Sequence, residues 1–140
     1  MSIPMTLPQE GLTRPAPAEL VVALAAFGVA SALVHASPLR VTLALVRGLK
    51  RTTRRAAGRA EAGRIAAACT FAARYVPGRA ACMERSLAVF LACCAGGARV
   101  DWCLGCRFDP CEAHAWVETG GVPVGEPERL DRPLHVTVRV

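Results

Sequence analysis

The hydrophobic pattern of this chain changes its period at Gly96-Gly97. Before these glycines, apolar residues recur at the 3.6-residue spacing of a helix. In the segment 82–95 they are Met83, Leu87, Phe90, Leu91 and Cys94. After the glycines, apolar and polar residues alternate from Val100 to Phe108, which is typical of a strand. Helices first and alternating segments last predict an α+β fold, in which helices pack on a small antiparallel sheet.

Proline and glycine residues divide this pattern into elements. Helices are predicted at about 19–35, 38–56, 59–75 and 82–95. Strands are predicted at about 100–108, 113–119, 122–126 and 135–140. Ser37-Pro38 separates the first two helices, and Pro77-Gly78 ends the third. We interpret residues 1–18 as an extended tail, 19–58 as a helical N-terminal region, and 59–140 as the core.

Charge is distributed unevenly along the 140 residues. Residues 1–100 hold 13 basic and 4 acidic groups, a net charge of +9, whereas residues 101–140 hold 4 basic and 7 acidic groups, a net charge of −3. No nucleic-acid-binding motif accompanies the basic half, so we expect no nucleic-acid partner. Helix 38–56 carries a basic stripe, which is either a solvated face or a docking surface. Its members are Arg47, Lys50, Arg51, Arg54 and Arg55.

An uncharged run extends from Leu20 to Leu39 and reaches the minimum length of a membrane span. It is mostly alanine and valine, and the segment before it is not basic, as a signal peptide would require. A buried helix is therefore favoured over membrane contact. The seven cysteines are an odd number, and Cys93 and Cys94 are adjacent, which is untypical of a secreted disulfide scaffold. We expect reduced thiols and a cytoplasmic protein.

Cys82 lies where the fourth helix is predicted to begin. Unpaired backbone amides and the helix dipole favour an anion at this end of a helix, so they stabilise a thiolate there. A cysteine nucleophile needs this arrangement. Most cysteines are nevertheless buried structural residues, and the position of Cys82 alone does not separate the two interpretations.

His114 lies on the second predicted strand, with Trp116 and Glu118 on the same face. A carboxylate directly across the hairpin would have its Cβ atom about 5 Å from that of His114. Such a carboxylate holds one imidazole nitrogen and leaves the other for a thiol. Glu126 is the candidate for this role.

The pairing of Glu126 with His114 depends on the hairpin loop. A three-residue loop, Thr119-Gly120-Gly121, places Glu126 opposite His114. A two-residue loop, Gly120-Gly121, would pair Glu126 with Ala115 and direct it to the other face. The triad Cys82, His114 and Glu126 therefore requires the three-residue loop in this interpretation.

Three motifs follow one another in the second half of the chain: Cys82-Met83-Glu84-Arg85-Ser86-Leu87, Gly105-Cys106-Arg107 and Ala113-His114-Ala115-Trp116-Val117-Glu118. In this combination and spacing, residues from about 60 to 128 resemble the transglutaminase-like leader peptidases of lasso-peptide biosynthesis. Residues 1–58 resemble the helical N-terminal part of that family only in general character. The resemblance implies a transglutaminase/papain-like core.

The resemblance also implies amide hydrolysis at the junction between leader and core peptide, without a cofactor or a metal. Cys82 attacks the carbonyl, His114 protonates the departing amine, and water cleaves the thioester. The backbone amide of Cys82 is a candidate donor to the oxyanion. Arg85 is expected to anchor the helix to the sheet, and Ser86 to pack or cap.

Partners follow from the same resemblance. The precursor peptide is the substrate, a separate small protein recognises its leader, and a lasso cyclase then closes the ring. The basic helix 38–56 or an apolar patch on the first helix is the candidate docking surface for the recognition protein.

One residue departs from the family pattern, because the family usually has aspartate where this chain has Glu126. The longer side chain still reaches a histidine. Asp131, Asp109 and Asp101 are the alternative third members. Cys106 and Cys111 also stand where ordinary apolar or polar residues are expected, and the resemblance gives them no function.

Three other functions compete with this interpretation. Cys103, Cys106, Cys111 and His114 offer four ligands of the right type for zinc, although strand alternation directs Cys103 and Cys106 to opposite faces. The same triad would also serve acyl transfer to an amine. Finally, residues 20–56 would suit a membrane-attached adaptor without catalysis.

Overall fold

The computed structural model describes residues 14–76, 82–126 and 131–140. The helices are α1 (Pro17–Ala36), α2 (Leu39–Thr52), α3 (Arg59–Ala72) and α4 (Cys82–Ala95). The strands are β1 (Arg55–Ala56), β2 (Ala98–Arg99), β3 (Asp101–Arg107), β4 (Glu112–Thr119), β5 (Val122–Val124) and β6 (His135–Arg139). Helices precede the main strands, so the predicted α+β fold is confirmed. Most of the predicted tail, and Pro77-Gly78, lie outside the described residues.

The main sheet is antiparallel with the strand order β5-β4-β3-β6, and β1 pairs with β2 in a short parallel ladder. Helix α4 packs against β3 and β4, and α1 and α3 pack against α4. The core between helices and sheet contains Trp102 and Val117, which are paired on neighbouring strands, together with Leu87 and Phe90 of α4. All four side chains are buried. This layer fixes α4, and hence Cys82, relative to β4.

Helix α2 ends at Thr52, four residues before the predicted end at 56. The hydroxyl groups of Thr52 and Thr53 donate hydrogen bonds to the carbonyls of Leu49 and Lys50. These side chains satisfy the last carbonyls of the helix, and Thr53 adopts an extended backbone. The chain then continues into β1, because pairing with β2 replaces the helical hydrogen bonds.

Helix α1 is buried along one side only. Ala23, Ala26, Phe27 and Ala30 lie in the core, whereas Val21 and Val29 are 65% and 51% exposed. By length and composition, α1 could cross a membrane, and 22% of its most apolar stretch is buried. The prediction of a buried helix therefore holds for one face, and the opposite face presents uncharged side chains outward.

The β4–β5 hairpin has a two-residue loop, so the predicted three-residue loop is wrong. Thr119 pairs with Val122, and Gly120 and Gly121 have φ angles of 56° and 79°. A type I′ turn needs positive φ at both central residues, and glycine adopts it without steric cost. The twin glycines therefore favour the shorter loop.

Candidate active site

A cleft of about 300 Å³ lies between α3, α4 and the β4–β5 hairpin. Cys82, His114 and Glu126 all line it. The α3 wall consists of small side chains, namely Gly63, Ala66, Ala67 and Thr70. The structure thus brings the three predicted site residues into one cleft. The small side chains of its α3 wall leave space there for a bound peptide.

Cys82 is the first residue of α4 and is partly exposed. Two contacts hold this end of the helix. Ser86 donates a hydrogen bond to the carbonyl of Met83, and its hydroxyl accepts one from the indole Nε1 of Trp102 at 2.9 Å. Ser86 therefore packs between helix and sheet. The start of α4 is fixed on its sheet side by the Ser86–Trp102 bond.

Glu84 fixes the other side of the same helical turn. Its carboxylate is buried and accepts hydrogen bonds from Ser31 Oγ at 3.2 Å and His35 Nε2 at 2.9 Å. Both donors belong to α1. A buried carboxylate is stable when it accepts such bonds, and its negative charge suits the first turn of a helix. Helix α1 thereby helps to hold the turn that carries Cys82.

His114 lies on β4 directly opposite Gly105 of β3. Its ring stacks on the ring of Trp116, with centroids 6.0 Å apart and planes at 15°. The indole of Trp116 donates to Glu118, which in turn pairs with Arg139 of β6. This chain of contacts fixes the surface on which the imidazole rests.

Gly105 makes room for that surface. A Cβ atom at this position would lie 1.8 Å from the carbonyl oxygen of His135 and 2.9 Å from Cη2 of Trp116. Both distances are far inside van der Waals contact. Any other residue at this position would clash with β6 and with the Trp116 ring. The glycine therefore allows the Trp116 ring to lie where His114 stacks on it.

Glu126 lies 2.9 Å from His114, measured from Oε2 to Nε2. An ionised carboxylate only accepts hydrogen bonds, so Nε2 carries the proton and Nδ1 is the other, acceptor nitrogen. The expectation that a two-residue loop excludes this contact is wrong. Strand β5 ends at Val124, and Gly125 has a φ of 68°, so strand alternation no longer determines where Glu126 points.

Arg107 belongs to the same cluster, although its position in the sequence does not indicate a role for it. Its side chain is 9% exposed, and Nη2 lies 3.8 Å from Oε2 of Glu126. Its Nη1 donates to the backbone carbonyl of Arg132 at 2.6 Å. The Glu126 carboxylate is thus shared between an imidazole and a buried guanidinium. The sequence contained one signal for this contact: strand alternation places Gly105, Arg107 and His114 on the same face of the sheet.

The alternative third members lie in other surroundings. Asp101 pairs with Lys50 at the beginning of β3, and Asp109 lies in the β3–β4 turn. Asp131 is exposed. Among these carboxylates and Glu126, the hydrogen bond to His114 belongs to Glu126.

Four of the other cysteines are held as neutral thiols. Burial raises the pKa of Cys69 and of Cys93 to about 12. Burial likewise raises the pKa of Cys94 to about 11, and burial, with the nearby Glu118 carboxylate, raises that of Cys103 to about 11. A thiol that stays protonated at neutral pH is a poor nucleophile. These four thiols are therefore unsuited to act as the nucleophile.

The zinc alternative is wrong for the part of the chain that the structure describes, which includes all four of its ligands. No group of three or more His, Cys, Asp or Glu residues there could hold a metal ion. Cys103 is buried on the face that carries His114, Cys106 alternates to the opposite face, and Cys111 is exposed in a turn. The strand geometry separates the ligands.

The described fold, with helices packed on a small antiparallel sheet, is that of a transglutaminase-like core. The family model described as the transglutaminase-like superfamily matches residues 23–139, and the chain belongs to this superfamily. Membership indicates cysteine-dependent chemistry of the peptidase or acyltransferase type. No significant match was found among curated proteins or among solved structures.

Proposed function

We propose that this chain is a cytoplasmic cysteine peptidase that removes the leader from a ribosomally made lasso precursor peptide, together with a separate leader-recognition protein. One observation carries the proposal: Cys82, at the start of α4, lines the same cleft as His114, whose Nε2 is bonded to Glu126. This is the set of groups that a thiol nucleophile needs.

In the proposed reaction, Nδ1 of His114 takes the proton of the Cys82 thiol, and Sγ adds to the carbonyl carbon of the amide that joins leader to core. The C–N bond then breaks, and His114 gives a proton from Nδ1 to the departing amine of the core. The leader remains on Sγ as a thioester. Water adds to this carbonyl, His114 takes a proton from it, and the C–S bond breaks to release the leader carboxylate.

Glu126 and Arg107 act on His114 in this scheme. The carboxylate fixes the ring so that Nδ1 is available, and it stabilises the imidazolium that forms. Arg107 restrains the carboxylate. The backbone amide of Cys82, at the start of a helix, is the proposed donor to the oxyanion. The small side chains of the α3 wall suit a peptide main chain that lies close to the helix.

Specificity for a lasso precursor is inferred from the three sequence motifs, which resemble those of lasso leader peptidases. Two of them lie at the cleft and one beside it. Cys82, Arg85 and Ser86 of the first motif line the cleft, as do the residues from His114 to Val117 of the third. Arg107 of the second contacts Glu126. Residues of all three motifs thus line the cleft or contact a residue that lines it.

For the recognition protein we propose a docking surface on α1 and α2. Two members of the predicted basic stripe are neutralised by ion pairs, because Lys50 pairs with Asp101 and Arg55 pairs with Glu61. Arg47, Arg51 and Arg54 are exposed and make no ion pair with any described residue. These three arginines lie on α2 or just after it. The preceding helix, α1, adds the uncharged outer face to the proposed surface. An acidic partner with an apolar patch would complement these helices.

The direct test mixes the protein with a recognition protein and a candidate precursor, and follows cleavage by mass spectrometry. Cys82→Ala and His114→Ala should abolish cleavage while circular dichroism and the melting temperature stay near the wild-type values. Cys111→Ala is the matched control, because Cys111 is an exposed thiol outside the cleft. Full activity of Cys82→Ala would exclude the proposal.

Acyl transfer to an amine is the second candidate, because the superfamily also includes acyltransferase chemistry. The thioester is common to both reactions, and they differ in whether water or an amine attacks it. Cleavage in the presence of a high concentration of glycine amide distinguishes them. A peptidase gives a leader with a free carboxyl end, whereas an acyltransferase gives the leader amide.

A further inference from the structure

Arg85 lies one helical turn after Cys82 on the cleft side of α4. The residues of α4 that line the cleft are Cys82, Arg85, Ser86 and Val89, a spacing that follows one face of a helix. Arg85 was expected to anchor the helix to the sheet. The structure contradicts this expectation, because the side chain is exposed and forms no ion pair or hydrogen bond with any described residue.

The other arginines near the site within the described ranges, Arg107, Arg132 and Arg139, each have partners. Arg107 contacts Glu126 and a backbone carbonyl, Arg132 binds Glu112 and two carbonyls of the β3–β4 turn, and Arg139 pairs with Glu118. Arg85 differs from these arginines because it faces the cleft without a partner in the described part of the chain. The carboxylate of Glu126 does not neutralise it, since that group is shared by His114 and Arg107. Among the residues that the structure describes, Arg85 is therefore a positive charge in the cleft that no carboxylate pairs, and it lies beside the candidate nucleophile.

We propose that Arg85 binds a carboxylate of the substrate, so that the cleft selects peptides with an Asp or Glu side chain close to the bond that is cut. This inference rests on the proposed peptidase function. A guanidinium binds a carboxylate through two parallel hydrogen bonds, and it is the side chain best suited to this recognition. A neutral amide in the same place would leave the guanidinium without its ionic partner.

The position of the acidic residue follows from distances along the two chains. Arg85 follows Cys82 by three positions in α4, which is a rise of about 4.5 Å along the helix axis. An extended peptide rises about 3.3 Å per residue. The selected carboxylate therefore belongs to a residue within about three positions of the scissile amide.

A positive charge beside Cys82 would also stabilise its thiolate, and a pair of alkylating reagents separates the two roles. Iodoacetate and iodoacetamide both transfer a carbon to sulfur with loss of iodide, but only iodoacetate carries a carboxylate. Removal of a carboxylate-binding group lowers the reaction with iodoacetate selectively. Removal of a group that acts on the thiolate lowers both reactions equally.

The experiment measures the alkylation of Cys82 by peptide-level mass spectrometry in the wild type, Arg85→Gln and Arg85→Lys. In Arg85→Gln, the ratio of the iodoacetate rate to the iodoacetamide rate should fall at least about threefold. In Arg85→Lys, this ratio should stay close to the wild-type value. Exposed Cys111 is the internal reference, and Arg99→Gln, which removes an exposed charge outside the cleft, is the matched control. An unchanged ratio in Arg85→Gln would overturn the proposal.

Cleavage then tests recognition in the peptide itself. For a precursor that the wild type cuts, replacement of the acidic residue near the bond by its amide should raise KM about tenfold, and the same replacement should have little effect in Arg85→Gln. A cut site without an acidic residue within three positions, or an equal effect in both proteins, would contradict the proposal. Because the alkylation ratio needs no peptidase activity, failure of Arg85 recognition remains distinct from failure of the peptidase function.

Discussion

Glu126 accepts a hydrogen bond from Nε2 of His114 at 2.9 Å, although the two residues are not paired across the hairpin. The strand ladder ends two residues before Glu126, and Gly125 bends the chain between the ladder and the carboxylate. The contact is therefore produced by a bend rather than by strand register. This distinction decides which substitutions should disturb the site.

Glu126→Gln should lower kcat about 10- to 100-fold with a small effect on stability. The amide still accepts a hydrogen bond from Nε2, but it no longer carries the charge that stabilises the imidazolium. We expect the free energy of unfolding to change by less than about 1 kcal/mol, because the side chain is near the surface. Single-turnover cleavage and urea denaturation measure the two quantities.

Asp131→Asn is the matched control for this prediction, since it also converts an acid into its amide in the same part of the chain. It should leave kcat near the wild-type value. The opposite outcome, a large loss in Asp131→Asn and none in Glu126→Gln, would assign the third role to Asp131.

Arg107→Ala should lower both stability and kcat. Loss of the guanidinium leaves the carbonyl of Arg132 without its donor and Glu126 without its cation, in a place where the side chain is 9% exposed. An unsatisfied buried group costs about 1–3 kcal/mol. Because Arg107 acts through Glu126, kcat should fall about tenfold while KM changes little.

Arg107→Lys provides the diagnostic comparison. It keeps the charge near Glu126 but loses the second hydrogen-bonding nitrogen. A positioning role through charge predicts that this variant recovers most of kcat and only part of the stability. If kcat instead followed stability in both variants, Arg107 would be a structural residue alone.

Gly125→Ala should reduce activity more than its effect on stability explains. Gly125 has a φ of 68°, which costs an alanine about 1 kcal/mol, and the new Cβ atom would meet Cβ of Ala66 at 3.3 Å. A shift of the bend moves Glu126 away from His114. Gly120→Ala is the matched control, because Gly120 has a φ of 56° with open space around it.

Both glycine variants should show similar losses in urea denaturation, and only Gly125→Ala should lose cleavage activity, by about tenfold or more. Equal activity in the two variants would show that the bend does not position Glu126.

The sequence pattern was sufficient to predict the helices and strands, but it did not predict the bend at Gly125. Helix α4 begins and ends at the predicted residues, because a clear 3.6 period and two closing glycines define it. The hairpin register was not determined by periodicity, since two adjacent glycines are compatible with two loop lengths. Glu126 was identified from a three-residue loop that does not form, and it reaches His114 through the backbone of Gly125.

The sequence pattern also did not predict which side chains contact each other. Strand alternation places Arg107 on the face of His114, but only the fold shows that its guanidinium lies between Glu126 and the carbonyl of Arg132. For Arg85, helical spacing places the residue beside Cys82 but does not show whether its side chain meets the sheet or the cleft. That depends on the packing of α4 against β4 and α3.

The buried thiols predict a loss of stability in alkaline solution. The pKa of Cys69 is about 12 in the folded chain, compared with 9.0 for an unperturbed thiol. Between these values the unfolded chain releases a proton that the folded chain keeps, so the unfolded state gains stability as pH rises. Stability is fully present below pH 9 and falls by about 1.4 kcal/mol per pH unit above it for each such thiol. Cys93 behaves in the same way.

Urea denaturation between pH 7 and pH 10.5 measures this slope. Cys69→Ala should be less stable than the wild type at pH 7, because it removes a buried side chain, but its stability should fall less steeply above pH 9. Cys111→Ala, at an exposed thiol, should keep the wild-type slope. An unchanged slope in Cys69→Ala would show that this thiol ionises equally in both states, and that its burial does not oppose the thiolate.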